Sequence, residues 1–297
     1  MYDDQIRLAA FEWLEKQTII YGDVLPRTLL EKGFIFNGEK ISLLGAKGIW
    51  KPRLMDFPLS ITTTSNGPYS DFYTEEGFLK YKYRGVDPNH GDNNGLRNLI
   101  RLKKPLVYFH AIIKGKYLAT WPVYIINDNM YELVFTVAVD DQMTVNKKSE
   151  QVNEDATYYR RSYLTSTIQT RVHQRSFRER VLLAYQNHCA LCNLRHTELL
   201  DAAHIIADKE DVGDPIITNG LALCKIHHAA FDNNLIGISP DYKIKVRLDL
   251  LEEIDGPMLK YGIQSLNDNN LILPSLKKNY PDRERLEIRF QKFLKAS

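Results

Sequence analysis

The chain has 297 residues, 44% of them apolar and 26% charged, with 39 basic side chains against 37 acidic ones and a formal net charge of +2. This is the composition of a folded globular protein with room for two domains, and it excludes a collagenous, disordered or polyelectrolyte chain. No apolar run reaches the roughly 18 residues of a membrane-spanning helix, so no membrane partner is expected. The charged start, MYDDQIRLAAFEWLEKQ, reads as an amphipathic helix rather than a signal peptide.

In chain order, residues 3–16 and 26–32 carry Leu, Ala, Phe and Trp at three- and four-residue intervals, which predicts helices. From about Phe34 to Val139 the texture changes to short aromatic and β-branched runs: ISLLG, FLKYKYRG, PLVYFHAII, YLATWPVYII and YELVFTVAV. NG, DPN and ND turns punctuate them, which predicts a curled sheet or barrel. One helical patch, NGLRNLIRLKK (94–104), interrupts the strands. Residues 140–157 are polar and read as a linker, and Tyr158 to Gln186 reads as a helix leading straight to Cys189. That helix carries Arg160, Arg161, Arg171, Arg175, Arg178 and Arg180 against one acid, Glu179. Such a cluster is either a solvated face or a grip on a nucleic-acid backbone. The fold class expected is α+β. Its domains are a mostly-β unit at 1–140, a linker at 141–157 and a second unit at 158–297.

Cys189, Cys192 and Cys224 are too few for a disulfide framework and fit a reducing, cytoplasmic compartment with a bound metal. Cys189-x-x-Cys192 and Cys224-x-x-His227 are two half-sites, and together they make a closed set of three thiolates and one imidazole, the donor set of a structural zinc. In LCKIHHAAFD (223–232), successive helical side chains point about 100° apart, so His227 and His228 cannot face one ion. Cys224 shares a face with His227, and Asp232 with His228.

Between the half-sites lie the strand DAAHII (201–206), carrying His204, and then Asn219-Gly220. The order C-x-x-C, AAHI, NG-L-x-LC-x-x-HH-x-x-FD resembles the HNH nucleases, the zinc-stapled ββα-metal group, over about 185–247, including the strand-like tail LIGISPDYKIKV. The resemblance implies that His204 is the general base, that Asn219 orients the base or fixes the loop, and that His228 binds one catalytic divalent cation, magnesium or manganese. Many members carry an acid directly before the base, where this chain has Ala203, so the carboxylate ligand must come from elsewhere. Asp232 is the first choice, one turn beyond His228. Asp201, read as sharing a strand face with His204, is the second.

Residues 67–126, with GPYSDFYTEEGFLKYKYRG and PLVYF, resemble the SET-and-RING-associated (SRA) domain, a PUA-like barrel that flips a modified cytosine into a pocket. This implies Tyr69 and Tyr83 as rings that sandwich the base, Asp71 as an acceptor for its exocyclic amine, and Arg84 with Lys80 and Lys82 at the flanking phosphates. Trp50 is a further aromatic candidate, equally suited to packing. Arg160, Arg161, Arg171 and Arg175 would grip the duplex. The function implied is a modification-dependent DNA endonuclease of bacterial or archaeal restriction, reading 5-methyl- or 5-hydroxymethylcytosine in double-stranded DNA. A nuclease targeted by a phosphorothioate or by duplex shape, and a non-catalytic zinc-stapled reader, stay open as alternatives. Cutting both strands suggests a homodimer, through the amphipathic segment RERLEIRFQKFL (283–294).

Overall fold

The computed structural model describes residues 2–63, 72–74, 78–139, 154–210, 212–254 and 256–296. The chain divides into two compact units, Met1–Arg175 and Ser176–Ser297.

The first unit is α+β and is organised by a curled sheet. Its strands, in chain order, are β1 (Val24–Pro26), β2 (Phe34–Phe36), β3 (Glu39–Ile41), β4 (Ile49–Trp50), β5 (Ser60–Thr63), β6 (Phe72–Tyr73), β7 (Leu79–Lys82), β8 (Leu106–Ile113), β9 (Lys116–Asn129) and β10 (Val134–Val139). Among the described residues eight of them form one sheet in the order β4-β5-β8-β9-β10-β7-β6, with β1 added along β9, while β2 and β3 pair separately. The β5–β8 pairing is parallel, and the neighbouring pairs are antiparallel. Register shifts at Leu106/Tyr108, Ala111/Ile113 and Thr136/Val137 bend the long central strands, as bulges do.

β8 shows how sequence alternation builds two cores. Val107, Phe109 and Ala111 pack on one face with Ile6, Ala10 and Leu14 of α1 (Tyr2–Tyr21) and Leu30 of α2 (Arg27–Lys32). Leu106, Tyr108 and Ile112 face the other side, with Leu96 and Leu99 of α3 (Gly91–Leu102) and Ile168 and Val172 of α4 (Glu154–Ala184). A period of two is what a sheet covered on both faces requires. The helices at 2–21, 27–32 and 91–102 stand where the apolar spacing put them. Arg7 is buried beneath the sheet, donating to the Pro58 and Pro105 carbonyls at 2.8 and 2.7 Å and facing Asp3 at 3.5 Å. Trp50 is a packing residue: its indole N–H donates to the Ser42 carbonyl at 3.0 Å, and its ring lies where a side chain on Gly45 would stand.

The second unit opens with the end of α4. Two short hairpins follow: β11 (Leu200–His204) with β12 (Gly220–Cys224), and β13 (Ile236–Ile238) with β14 (Ile244–Val246). Helix α5 (Lys225–Asp232) joins the hairpins, and α6 (Leu248–Glu252), α7 (Pro257–Gly262) and α8 (Arg283–Ala296) follow. One core of Phe177, Val181, Leu200, Leu223, Phe231 and their neighbours holds these pieces together. The segment expected to dimerise is α8, and it turns part of its apolar face inward: Leu286 and Phe293 are buried, and Gly237 of β13 lies against the Phe293 ring. Among the described residues no helix is long and apolar enough to cross a membrane.

On the face of β8 that carries Tyr108, Thr63 Oγ1, Tyr108 Oη and His110 Nδ1 form a chain of two 2.9 Å hydrogen bonds. Burial, with His173 nearby, depresses the His110 pKa from 6.5 to about 4. Between those values the unfolded imidazole takes up a proton and the folded one does not. Stability therefore falls as pH drops from 6.5 toward 4, by up to roughly 3 kcal/mol. Thermal unfolding at pH 7 and pH 5 should show this, with His110→Gln shrinking the difference between the two midpoints. An unchanged difference would contradict it.

Candidate functional site

Cys189 stands just after α4 in a tight knuckle, its N–H donating to the Leu194 carbonyl at 3.0 Å and its carbonyl accepting from Asn193 at 2.9 Å. Cys224 ends β12, where the chain enters α5. One donor atom each from Cys189, Cys192, Cys224 and His227 lies within 4.8 Å of the other three. His227 Nδ1 is 3.4 Å from Cys189 Sγ and 3.2 Å from Cys224 Sγ. Tetrahedral bonds of about 2.3 Å to sulfur and 2.0 Å to nitrogen would put such pairs about 3.5 Å apart, so the donors are already close to coordination spacing. His227 Nε2 is 2.7 Å from the Gly262 carbonyl, which fixes Nδ1 as the inward nitrogen. Burial works against a charge on His227, but the hydrogen bonds to Cys189 and Cys224 outweigh it and raise its pKa to about 10.

His228, the next residue, faces elsewhere. Its Nε2 is 3.2 Å from Asp232 Oδ2 and its Nδ1 is 3.8 Å from Asp201 Oδ2. The Asp232 hydrogen bond raises the His228 pKa. Asp201 and His204 are three positions apart on β11, hence on opposite faces of a regular strand, so the expectation that they share a face fails. Both carboxylates nonetheless reach the same imidazole. Among the described residues the Cys189–His227 cluster is the one group of three or more metal-ligating side chains drawn together within 4.8 Å.

His204 ends β11 opposite Gly220. A Cβ on Gly220 would stand 2.4 Å from Val181 and 2.9 Å from Phe177. The bare glycine therefore lets α4 come close, and the Phe177 ring stacks flat on His204 at 4.0 Å and 15°. Burial under that ring lowers the His204 pKa, with Asp208, His228, Asp232 and Asp201 as its charged neighbours. Its Nε2 is enclosed and unpartnered. Asn219 is fully buried and works on the loop: its Oδ1 accepts from Ile206 N–H at 2.9 Å, and its Nδ2 donates to the Ile206 and Asp214 carbonyls at 2.9 and 3.0 Å.

The first unit has a cavity of about 550 Å³ lined by Gly48, Thr62, Thr63, Tyr81, Tyr83 and Arg84, among others. Thr62 Oγ1 is buried there without a partner. Tyr83 reaches this cavity, but its ring cannot sandwich a base. It is 2% exposed and stacks on Phe135 at 4.5 Å, and its hydroxyl is held by Asp128 and Arg97. Arg84 is ion-paired with Asp92. Tyr69 and Asp71 lie outside the described residues, as do the side chains of Arg160 and Arg161.

Four arginines of the cluster have partners within the chain. Arg171 and Arg175 both pair with Asp23 at 3.0 Å. Arg178 donates to the Thr197 and Leu200 carbonyls, and Arg180 to those of Ser176 and Pro215. Charge density alone did not reveal these partners. Asp208, beside His204, and Arg289, whose guanidinium stacks on Phe231 at 4.7 Å, were also missed, since neither stands in a motif.

Residues 189–239 match the HNH_2 family, described as HNH endonuclease. The chain thus contains an HNH endonuclease domain, and a DNA-endonuclease class of enzyme goes with it. No similar sequence is found among curated proteins. Similar solved structures include a modification-dependent restriction endonuclease, TagI, with 14% identity, TM-score 0.31, and coverage of 80% of this chain and 81% of that one. Another is a SUVH5 SRA complex with methylated CHH DNA, with 22% identity, TM-score 0.21, and coverage of 30% and 69%. A third is the Type IV phosphorothioation-dependent restriction endonuclease ScoMcrA, with 15% identity, TM-score 0.21, and coverage of 58% and 52%.

Cys224→Ser should remove one bound metal per chain by elemental analysis. It should also lower the melting temperature of the second unit by roughly 10 °C or more, because metal affinity in such knuckles is folding free energy. An unchanged melting curve with the metal gone would show that apolar packing alone holds the hairpin.

Proposed function

We propose that the HNH endonuclease domain at residues 189–239 hydrolyses phosphodiester bonds of double-stranded DNA, and that the first unit directs it to modified cytosine. The observation that carries the reading is the divergence of His227 and His228, one toward three cysteines and the other toward Asp232 and Asp201, beside a His204 kept neutral by burial.

In this reading zinc occupies the Cys189, Cys192, Cys224 and His227 cluster and has a structural role, since protein fills all four positions. A catalytic divalent cation, magnesium or manganese, held by His228 with an aspartate, would supply charge neutralisation on the phosphate and on the departing 3′ oxygen. His204 accepts the proton of the attacking water, whose oxygen forms the new bond to phosphorus as the bond to the 3′ oxygen breaks. The Phe177 ring beneath His204 keeps the imidazole neutral and fixes its plane. Asn219 holds the loop after β11, and with it the end of the strand that carries the base.

The first unit's cavity is the proposed reader. At about 550 Å³ it is large enough for one extruded base, and the unpartnered Thr62 hydroxyl offers that base a hydrogen bond. Tyr69 and Asp71 remain proposed contacts, and Arg84 stands at the rim for a flanking phosphate. The proposed division of labour is reading by residues 1–140 and cutting by residues 158–297, in the bacterial or archaeal cytoplasm.

Digestion of 5-methylated, 5-hydroxymethylated and unmodified plasmid with magnesium or manganese tests the reading, and cleavage should require a modification. His204→Ala should fold and bind DNA yet lose at least about 100-fold in cleavage rate. If it cuts at the wild-type rate, His204 is not the base. Because burial holds the His204 pKa below its ordinary 6.5, the acid limb of kcat at saturating metal should lie below pH 6.5. A limb centred above pH 7.5 would point to another group.

A further inference from the structure

His228 lies between two carboxylates, and the two are not equivalent. A metal-bound imidazole ligates through one ring nitrogen and donates its other N–H to an orienting group, commonly a carboxylate. One of Asp232 and Asp201 is therefore a co-ligand, and the other sets the ring. The surroundings of each distinguish them. Asp232 is 57% exposed on the last turn of α5, and among the described residues its carboxylate pairs with His228 alone. Asp201 is already committed: Oδ1 accepts from the Ala202 N–H at 2.9 Å and faces Arg178 Nε at 3.5 Å. Arg178 is itself clamped at 22% exposure, by Glu179 at 3.0 Å and by the Thr197 and Leu200 carbonyls at 3.1 and 2.9 Å.

We propose that Arg178 and Asp201 are positioning residues of the nuclease site: Asp201 takes the Nδ1–H of His228, and Arg178 holds Asp201, so that Nε2 and Asp232 form the cation-binding edge. This rests on the reading above that His228 binds the catalytic cation. The guanidinium and the Ala202 N–H hold Oδ1 and so fix the carboxylate's orientation, leaving Oδ2 turned to His228. The Asp232 carboxylate keeps its charge at the solvent edge, where cation and phosphate arrive together. Arg178 thereby links the end of α4, through β11, to the face of α5 that does the binding. Asp201 thus passes from candidate ligand to orienting acceptor.

The test is manganese binding to the zinc-loaded full chain, followed by electron paramagnetic resonance, with DNA cleavage measured against manganese concentration. Asp201→Asn keeps an oxygen that accepts the same N–H, so its manganese affinity should stay within about threefold of wild type. Asp201→Ala should lose about 10–100-fold. Asp232→Asn should lose at least as much as Asp201→Ala, since an amide oxygen is a poor substitute for a charged ligand. Arg178→Lys should weaken manganese binding several-fold while zinc content and far-UV circular dichroism stay unchanged. If Asp201→Asn is as damaging as Asp201→Ala while Asp232→Asn binds like wild type, the roles are reversed and the proposal falls. His228→Ala reports on the underlying reading separately. Full manganese affinity in that variant would remove His228 from the cation site whatever the two aspartates do.

Discussion

The angle between two successive side chains on a helix governs the second unit. His227 and His228 are separated by about 100° around α5, and the protein puts different chemistry on each side of that angle. On one side Nδ1 of His227 sits 3.2 and 3.4 Å from two thiols. On the other, Nε2 of His228 sits 3.2 Å from a carboxylate near the surface. Anything that rotates α5 by one residue would exchange these environments, placing a solvent-facing ring among sulfurs and a buried ring in water. The cysteine cluster therefore fixes the rotational setting of the helix as well as its attachment.

That fixing matters because the surrounding elements are short. β11 and β12 each have five residues, and a two-stranded ribbon of that size is marginal in water. Three features support it: the knuckle at Cys189, the close approach of α4 at Gly220, and Asn219, whose side chain bonds to the backbone at Ile206 and Asp214. The last two also set His204, through the Phe177 ring beneath it and the loop beyond it. Stability and site geometry thus draw on the same contacts.

Much of this could be read from the residues because the signals were local. Cysteine and histidine spacing, the AAHI strand and the helical period of LCKIHHAAFD describe short segments whose geometry follows from φ and ψ alone. The same holds for the alternation of β8 and the helix at 91–102. What escaped reading depends on distant partners. Six arginines in one helix look alike in sequence, but Asp23 takes two of them, and carbonyls at Thr197, Leu200 and Pro215 engage two others. Tyr83 has the aromatic, alternating context of a ring in a binding pocket. Only the fold shows Phe135 against its face and Asp128 at its hydroxyl. Asp201 was misread, since its three-residue separation from His204 puts the two on opposite strand faces, and its place beside His228 depends on a helix that comes later in the chain.

The last helix of the chain is tied to the loop between His204 and Asn219. Lys292 reaches Glu210 at 2.6 Å, Arg285 reaches Asp214 at 3.1 Å, and Arg289 donates to the carbonyls of Phe231 and Asp232. Between 57 and 82 residues separate the ends of these ties along the chain, yet they brace the ground on either side of His204 and Asp232. The helix Arg283–Ala296 is accordingly a poor place to trim for crystallisation. Shortening it would slacken a loop that begins at His204, and the damage would look like a fault in that histidine although its own side chain had not been touched.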